Sequence, residues 1–207
     1  SGLVRSSLLF LLIGTGILVG IVIASFNLVA QTQDTFEYIL EEREIRRTAA
    51  DLMQTLTDAE TGQRGFVVTE EERFLAPYQR AVGDVRQQLS QLELAVANRP
   101  AMAEKFGELR RTVEQKVSEM ANSVNVVRLG QREEATRLMQ AEVGRELMDS
   151  IRDTLGMFMQ RSDTNVENGT AAQIEATKRL QWITIGGGIA IVAVMGGALL
   201  LVAQHIR

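Results

Sequence analysis

Two stretches without a charged side chain, residues 6–33 and 181–204, decide most of what this chain can fold into. Each is longer than the ~20 apolar residues that carry an α-helix across a ~30 Å hydrocarbon core. Residues 6–30 and 181–204 therefore read as transmembrane helices, and residues 31–180 as a water-soluble domain between them. Arg5 precedes the first run as it would in a signal peptide, but the run is too long for an ordinary apolar core and lacks a small-x-small cleavage site. It reads as an uncleaved anchor. Gly16 and Gly20 supply a GxxxG spacing for transmembrane packing, and Trp182 suits the membrane interface at the entry of the second span.

With Arg5 and Arg207 outside it, the middle segment carries all 26 acids and 20 of the 22 basic residues, a net charge near −6. An acidic domain without a basic patch argues against nucleic acid as a partner. There is no cysteine, so neither a disulfide framework nor a thiolate site is available. Pro77 and Pro100 are the only prolines, and β-branched residues do not alternate, so the expected fold class is all-α.

Helical periodicity then divides the middle segment. Ile45, Ala49, Leu52, Leu56, Ala59, Gln63 and Phe66 alternate steps of four and three, the seam of a coiled-coil-like bundle with Gln63 as its polar member. Thr69 followed by Glu70, Glu71 and Glu72 predicts a capping box and a second helix from near Glu70. That helix carries Phe74, Tyr78, Ala81, Val85, Leu92 and Ala95, flanked by Leu75, Val82, Leu89 and Val96. Pro77 comes late for a first-turn proline and predicts a bend or a later start. Asn98-Arg99-Pro100 is a turn, because the residue before proline leaves the helical region. A third helix presents Met102, Phe106, Leu109, Val113, Met120, Val124 and Val127, with Lys116 breaking the stripe and expected to snorkel. It ends at Gly130. After a short piece from Gln131 to Ala141, a fourth long helix from Gly144 presents Leu147, Ile151, Leu155 and Phe158. At 1.5 Å per residue the four rods measure about 57, 40, 43 and 57 Å, which nearly close when they alternate in direction. The expected architecture is an antiparallel up-down four-helix bundle continuous with two transmembrane helices.

This folding places Asp58 to Phe66 at the membrane-distal end, beside the start of the fourth helix. Gly62 and Gly65, three apart, would each cost about 1 kcal/mol against alanine in a helix unless helices approach closely there. Asp58, Glu60, Gln63, Arg64, Arg145, Asp149 and Arg152 form the candidate ligand or signalling site, with arginine orienting a carboxylate or phosphate by paired hydrogen bonds. The competing reading, favoured because charged groups in a bundle usually pair with one another, makes the same residues interhelical salt bridges and a polar layer that fixes register. No nucleophile with a neighbouring base, no phosphate-cradling loop and no cofactor motif is present, so no catalytic residue is assigned. His205, the single histidine, stands without a second histidine or cysteine, so no metal site is expected. No cofactor is expected either.

The stretch ETGQRGFVVT, Glu60 to Thr69, followed by Leu75 and Pro77-Tyr78, resembles the signature of CHASE type 3 domains. GQREEATRLM and GRELMDSIR, between Gly130 and Arg152, resemble the second half of that family. The resemblance covers Ile45 to Arg161 and implies an extracellular or periplasmic sensory module between two membrane helices of a bacterial receptor. The implied output is a histidine kinase, a diguanylate cyclase or a chemoreceptor domain. It also implies a homodimer in the inner membrane, with membrane lipid and a small ligand or periplasmic protein as partners. Glu70 stands where the family usually has glycine, and Phe66 where tyrosine is common. Two other readings compete: a dimerisation tether that docks a protein and binds no small molecule, and a channel subunit. The channel is disfavoured because neither span holds an ionisable residue in its interior. Arg5 and Arg207 agree with cytoplasmic ends, whereas Lys178-Arg179 oppose them.

Overall fold

The computed structural model describes residues 2–206, except the side chains of residues 2–8, 10, 31, 201, 202, 205 and 206. The readings placed on Arg5, His205 and Arg207 lie outside this described set. Five α-helices follow in order: α1 (Gly2–Thr69), α2 (Leu75–Val96), α3 (Pro100–Arg128), α4 (Arg132–Gln140) and α5 (Glu142–Ile206), with one 3-10 turn at Glu72–Phe74. The chain is all-α, and no strand occurs among the described residues. It divides into two compact units, Leu40–Val166 and the pair of segments Ser1–Ile39 and Glu167–Arg207.

In the Leu40–Val166 unit the predicted seam of α1 is buried at each of its seven positions, Ile45 to Phe66. The contacts run α1 in the opposite sense to α2 and to α5. Along α1 and α2, Gly62 meets Phe74 and Tyr78, Thr55 accepts a hydrogen bond from Gln88 at 2.9 Å, and Glu42 meets Arg99. Along α1 and α5, Glu60 faces Arg152 while Arg46 binds Asp163 at 2.6 Å. The apolar stripe of α3 is buried at every predicted position. On α5, Met148 rather than Leu147 joins Ile151, Leu155 and Phe158 in the core. On α2 the predicted Tyr78, Ala81, Val85 and Leu92 are buried together with the flanking Leu75, Leu89 and Val96, while Phe74 and Ala95 at the two ends of the stripe are half-buried.

Two turns differ in how well they were anticipated. Gly130 has φ +74°, its N–H donates to the Val127 carbonyl at 2.8 Å, and Gln131 N–H donates to Val126 at 3.1 Å. This paired bonding is the Schellman ending, in which the left-handed residue is normally glycine. The capping box at Thr69 does not form. Thr69 closes α1 instead: its hydroxyl donates to the Gly65 carbonyl at 2.7 Å and accepts from Glu71 N–H at 3.2 Å. Glu70 then turns left-handed at φ +59°, and the helix beyond it starts at Leu75. Pro77 accordingly falls in the first turn of α2, where its missing N–H costs nothing.

In the unit formed by the two terminal segments, both helices contain 18-residue windows that are long and apolar enough to cross a membrane, with mean hydropathy 2.2 and 2.1. Leu11, Leu12, Phe26, Trp182, Val192 and Leu199 are exposed there. Thr32 and Thr184 donate to carbonyls one turn back at 2.9 Å. Gly187 lies against Ile21 and Gly14 against Val194, whereas Gly16 and Gly20 have open space beside them within the chain.

Candidate functional site

The site begins with a lysine on the wrong face of a helix. Val113 and Met120 bracket Lys116 on the buried stripe of α3, so its side chain leaves the backbone toward the core. Snorkelling does not rescue it, for Lys116 is 3% exposed. A buried ammonium is tolerated only when opposite charge and hydrogen bonds replace water. Here Nζ lies 3.2 Å from Glu60 Oε1 on α1, 2.9 Å from Glu119 Oε2 on its own helix and 3.0 Å from the Gly144 carbonyl on α5. One cation thus ties three helices together.

Around it the charges are arranged in pairs. Glu60, itself buried, also receives Arg64 Nη2 at 3.2 Å and faces Arg152 Nη2 at 3.9 Å. Arg152 in turn donates to Asp149 at 2.9 Å. Ser123, fully buried, donates to the Glu119 backbone carbonyl at 3.2 Å. Gly144 admits this arrangement because a Cβ there would stand 3.2 Å from the Glu119 carboxylate. Gln63 is 2% exposed, and its Nε2 has no hydrogen-bond partner. The layer divides the apolar interior: one cluster holds Ile45 to Leu56 with Val113 and Met148, and the other holds Ala59, Phe66 and Val67 with Met120 and Ala135.

Of the residues proposed from sequence, Glu60, Arg64, Asp149 and Arg152 come together in this layer, with Gln63 buried one turn along α1. Asp58 does not join them. It points outward, accepts from Gln54 at 2.8 Å and lines an open groove of about 420 Å³ between α1 and α2, with Thr61, Phe74, Arg80 and Asp84. Arg145 is exposed and outside the cluster. Gly62 and Gly65 do permit close approach: an added Cβ would lie 2.9 Å from the Phe74 carbonyl oxygen at Gly62 and 2.5 Å from the Phe74 ring at Gly65. Sequence reasoning missed Lys116 and Glu119 as members. The available signal was a lysine at an apolar register position with an acid three residues on.

A second buried charge lies at the other end of the unit. Glu42 is fully buried and accepts from Arg99 Nε at 2.6 Å, while Arg99 Nη2 reaches Glu41 at 3.1 Å. Burial works against the Arg99 charge, but its bonds to Glu42 and Glu41 outweigh this and raise its pKa. Near the layer, burial and then the Glu119 carboxylate push the Tyr78 phenol upward, with Arg128 partly opposing them. Glu44 is held below the usual carboxylate range by its hydrogen bond from Arg47.

The CHASE3 domain family matches residues 37–172, well over half of the chain and all of the Leu40–Val166 unit. The chain belongs to this family, an extracellular sensory domain of signalling receptors. The domain is sensory and not catalytic. No curated protein and no solved structure matches the chain significantly.

Proposed function

We propose that the chain is the membrane-anchored sensory and signal-transducing module of a bacterial receptor such as a sensor histidine kinase. In this reading residues 6–30 and 181–204 cross the inner membrane, and residues 31–180 form the extracytoplasmic bundle of a homodimer. The output domain is a kinase, a diguanylate cyclase or a chemoreceptor domain. The observation that carries the reading is that α1 and α5 each run unbroken from the CHASE3 segment into an apolar, charge-free stretch. A stimulus that favours one arrangement of the bundle over another shifts the population, and only differential affinity for the two can do so.

The input is an anion in this reading. Arg64 and Arg152 converge on Glu60 while their own side chains stay about half exposed, 55% and 47%. A carboxylate or phosphate arriving from solvent competes with Glu60 for two guanidinium groups, which bind such groups by paired bonds. The test is the melting temperature of the detergent-solubilised chain across a panel of anionic metabolites. At a hundredfold excess over Kd, a ligand adds about 2.7 kcal/mol. A shift lost in both Arg64→Ala and Arg152→Ala supports the reading, and a shift that survives both moves the ligand elsewhere. The tether reading draws on Val68, Leu129 and Val143, exposed apolar side chains at helix ends near the turns. A panel without any shift, together with a protein partner lost on Leu129→Ser, would favour it.

A further inference from the structure

Helices α2 and α3 are bridged at one level by the exposed ion pair of Arg110 and Glu93. Farther from their connecting turn the bridge is not repeated, and a groove of about 370 Å³ opens between the two helices. Its volume lies in the range of small-molecule sites, which form readily between the helices of bundles. The floor is aliphatic: Val85, Leu89 and Val113 are buried, and Val117 is partly buried. Arg86 stands on the α2 wall and Glu114 on the α3 wall, both exposed. Neither side chain has a hydrogen bond or ion pair among the described residues. Counting seven residues back from Glu93 and seven on from Arg110 sets Arg86 level with Val117, and Glu114 lies about 4.5 Å nearer the turn. The two charges thus flank the apolar floor diagonally without meeting.

We propose that this groove binds a free α-amino acid with an apolar side chain. The ligand carboxylate takes the Arg86 guanidinium, which binds such groups by paired hydrogen bonds, and the ligand ammonium donates to Glu114. The apolar body covers Val85, Leu89, Val113 and Val117, and removing that surface from water supplies the non-directional part of the affinity. A ligand with a single charge fits less well, since a plain carboxylate also meets Glu114 and a plain amine also meets Arg86. One level nearer the turn the fold closes the same gap with its own ion pair, whereas here both charged groups are left for a ligand. The position connects with the rest of the unit. Val117 packs against both apolar clusters, and its neighbour Lys116 holds the buried ionic layer. A ligand seated on Val113 and Val117 therefore bears on α3 at the level where it meets α1 and α5.

The site is separate from the anion reading, because Arg64 and Arg152 lie on α1 and α5 and line no part of the groove. Its test is equilibrium binding of L-leucine, L-valine and L-phenylalanine to the detergent-solubilised full chain. Each is measured beside its deaminated and decarboxylated analogues, which for L-leucine are 4-methylpentanoate and 3-methylbutylamine. At least one amino acid should bind saturably, one per chain, and its two analogues should bind about tenfold more weakly or worse, the loss of one charged hydrogen bond. Arg86→Ala and Glu114→Gln should each weaken binding by about the same factor, and Arg64→Ala should leave it unchanged. Ser118→Trp, at the exposed edge of the groove, should block binding without lowering the melting temperature. Absence of saturable binding by all three amino acids overturns the site, as does binding that survives both Arg86→Ala and Glu114→Gln. Equal affinity for an analogue overturns recognition of the two charges. Loss of binding in Arg64→Ala assigns the ligand to the anion site and overturns this one. A concentration-dependent dimer that Ser118→Trp disrupts, without amino-acid binding, shows a second copy in the groove and overturns it too. Should a variant fail to fold, the analogue series on the parent chain decides. Failure of the anion panel with amino-acid binding intact would remove the anion input and leave this site standing.

Discussion

Replacing Gly62 by alanine sets two opposing effects against each other, and the structure decides which is larger. Alanine gains about 1 kcal/mol over glycine within a helix. At Gly83, exposed and with nothing within 4 Å of an added Cβ, that gain is the whole effect. At Gly62 the new methyl would stand 2.9 Å from the Phe74 carbonyl oxygen and 3.1 Å from the Tyr78 nitrogen. These are backbone atoms at the start of α2, which cannot swing aside as a side-chain tip can. Overpacking of this kind costs about 1–3 kcal/mol, so Gly62→Ala should be neutral to destabilising by about 2 kcal/mol. With about 3 °C per kcal/mol for a domain of this size, Gly83→Ala should melt about 3 °C higher and Gly62→Ala up to about 6 °C lower than the parent. Gly65→Ala should fall between them, because its obstacle is the Phe74 ring, which can rotate. Thermal unfolding of the detergent-solubilised chain, followed by far-ultraviolet circular dichroism, measures the difference. Equal stabilisation by alanine at 62 and 83 would refute the argument that the motif's glycines exist for close packing of α1 on α2.

Glu70→Gly removes the left-handed strain at φ +59° and should stabilise the chain by about 1 kcal/mol in urea unfolding, despite losing an exposed ion pair with Arg132 worth at most about 1 kcal/mol. Arg99→Met strands the fully buried Glu42 and should destabilise by about 3 kcal/mol, with Glu42→Gln in the same background recovering most of the loss. Tyr78 supplies a pH test. Its folded pKa is raised above the ordinary 10.0, so the associated stability is complete below that value and is lost as pH rises through the folded pKa. Tyr78→Phe should flatten the alkaline limb of the melting curve, and an unchanged limb would place its cause elsewhere.

What could be read in advance was local and periodic. The seam from Ile45 to Phe66 and the stripe from Met102 to Val127 depend on spacing alone, and both are buried as expected. The Gly130 ending is likewise fixed within a few residues. The misreadings arose where distant parts of the chain decide. A threonine followed by acids looks the same at the end of one helix as at the start of the next. Here Arg132 Nη2, far along the sequence, donates to the Val68 carbonyl at 2.7 Å and holds the α1 ending in place. Whether Lys116 reaches water depends on the helices packed over it, and a lysine stem long enough to snorkel carries no mark of whether it can. The Glu42–Arg99 pair joins residues 57 apart, with no local pattern to announce it. The candidate site was thus half legible: the motif on α1 and the arginine on α5 could be read, but not the α3 residues that join them.

That missing element changes the argument about transmission. With Glu60 and Arg152 alone, α1 and α5 would meet through a contact of 3.9 Å with a half-exposed arginine, and such contacts are worth little. With Lys116 between them, both long helices are referred to α3, a helix with no apolar extension of its own. The layer also separates the apolar cluster around Ala59 and Phe66 from the larger one around Leu52 and Phe158. The smaller cluster is closed over by α4, a nine-residue helix that buries Ala135. That cluster holds fewer buried residues than the one around Leu52 and Phe158, so it is the smaller of the two apolar contributions to stability. In such a bundle one buried cation refers three helices to each other, so Lys116→Met, which strands the buried Glu60, should cost more than removing any one of the exposed ion pairs around it.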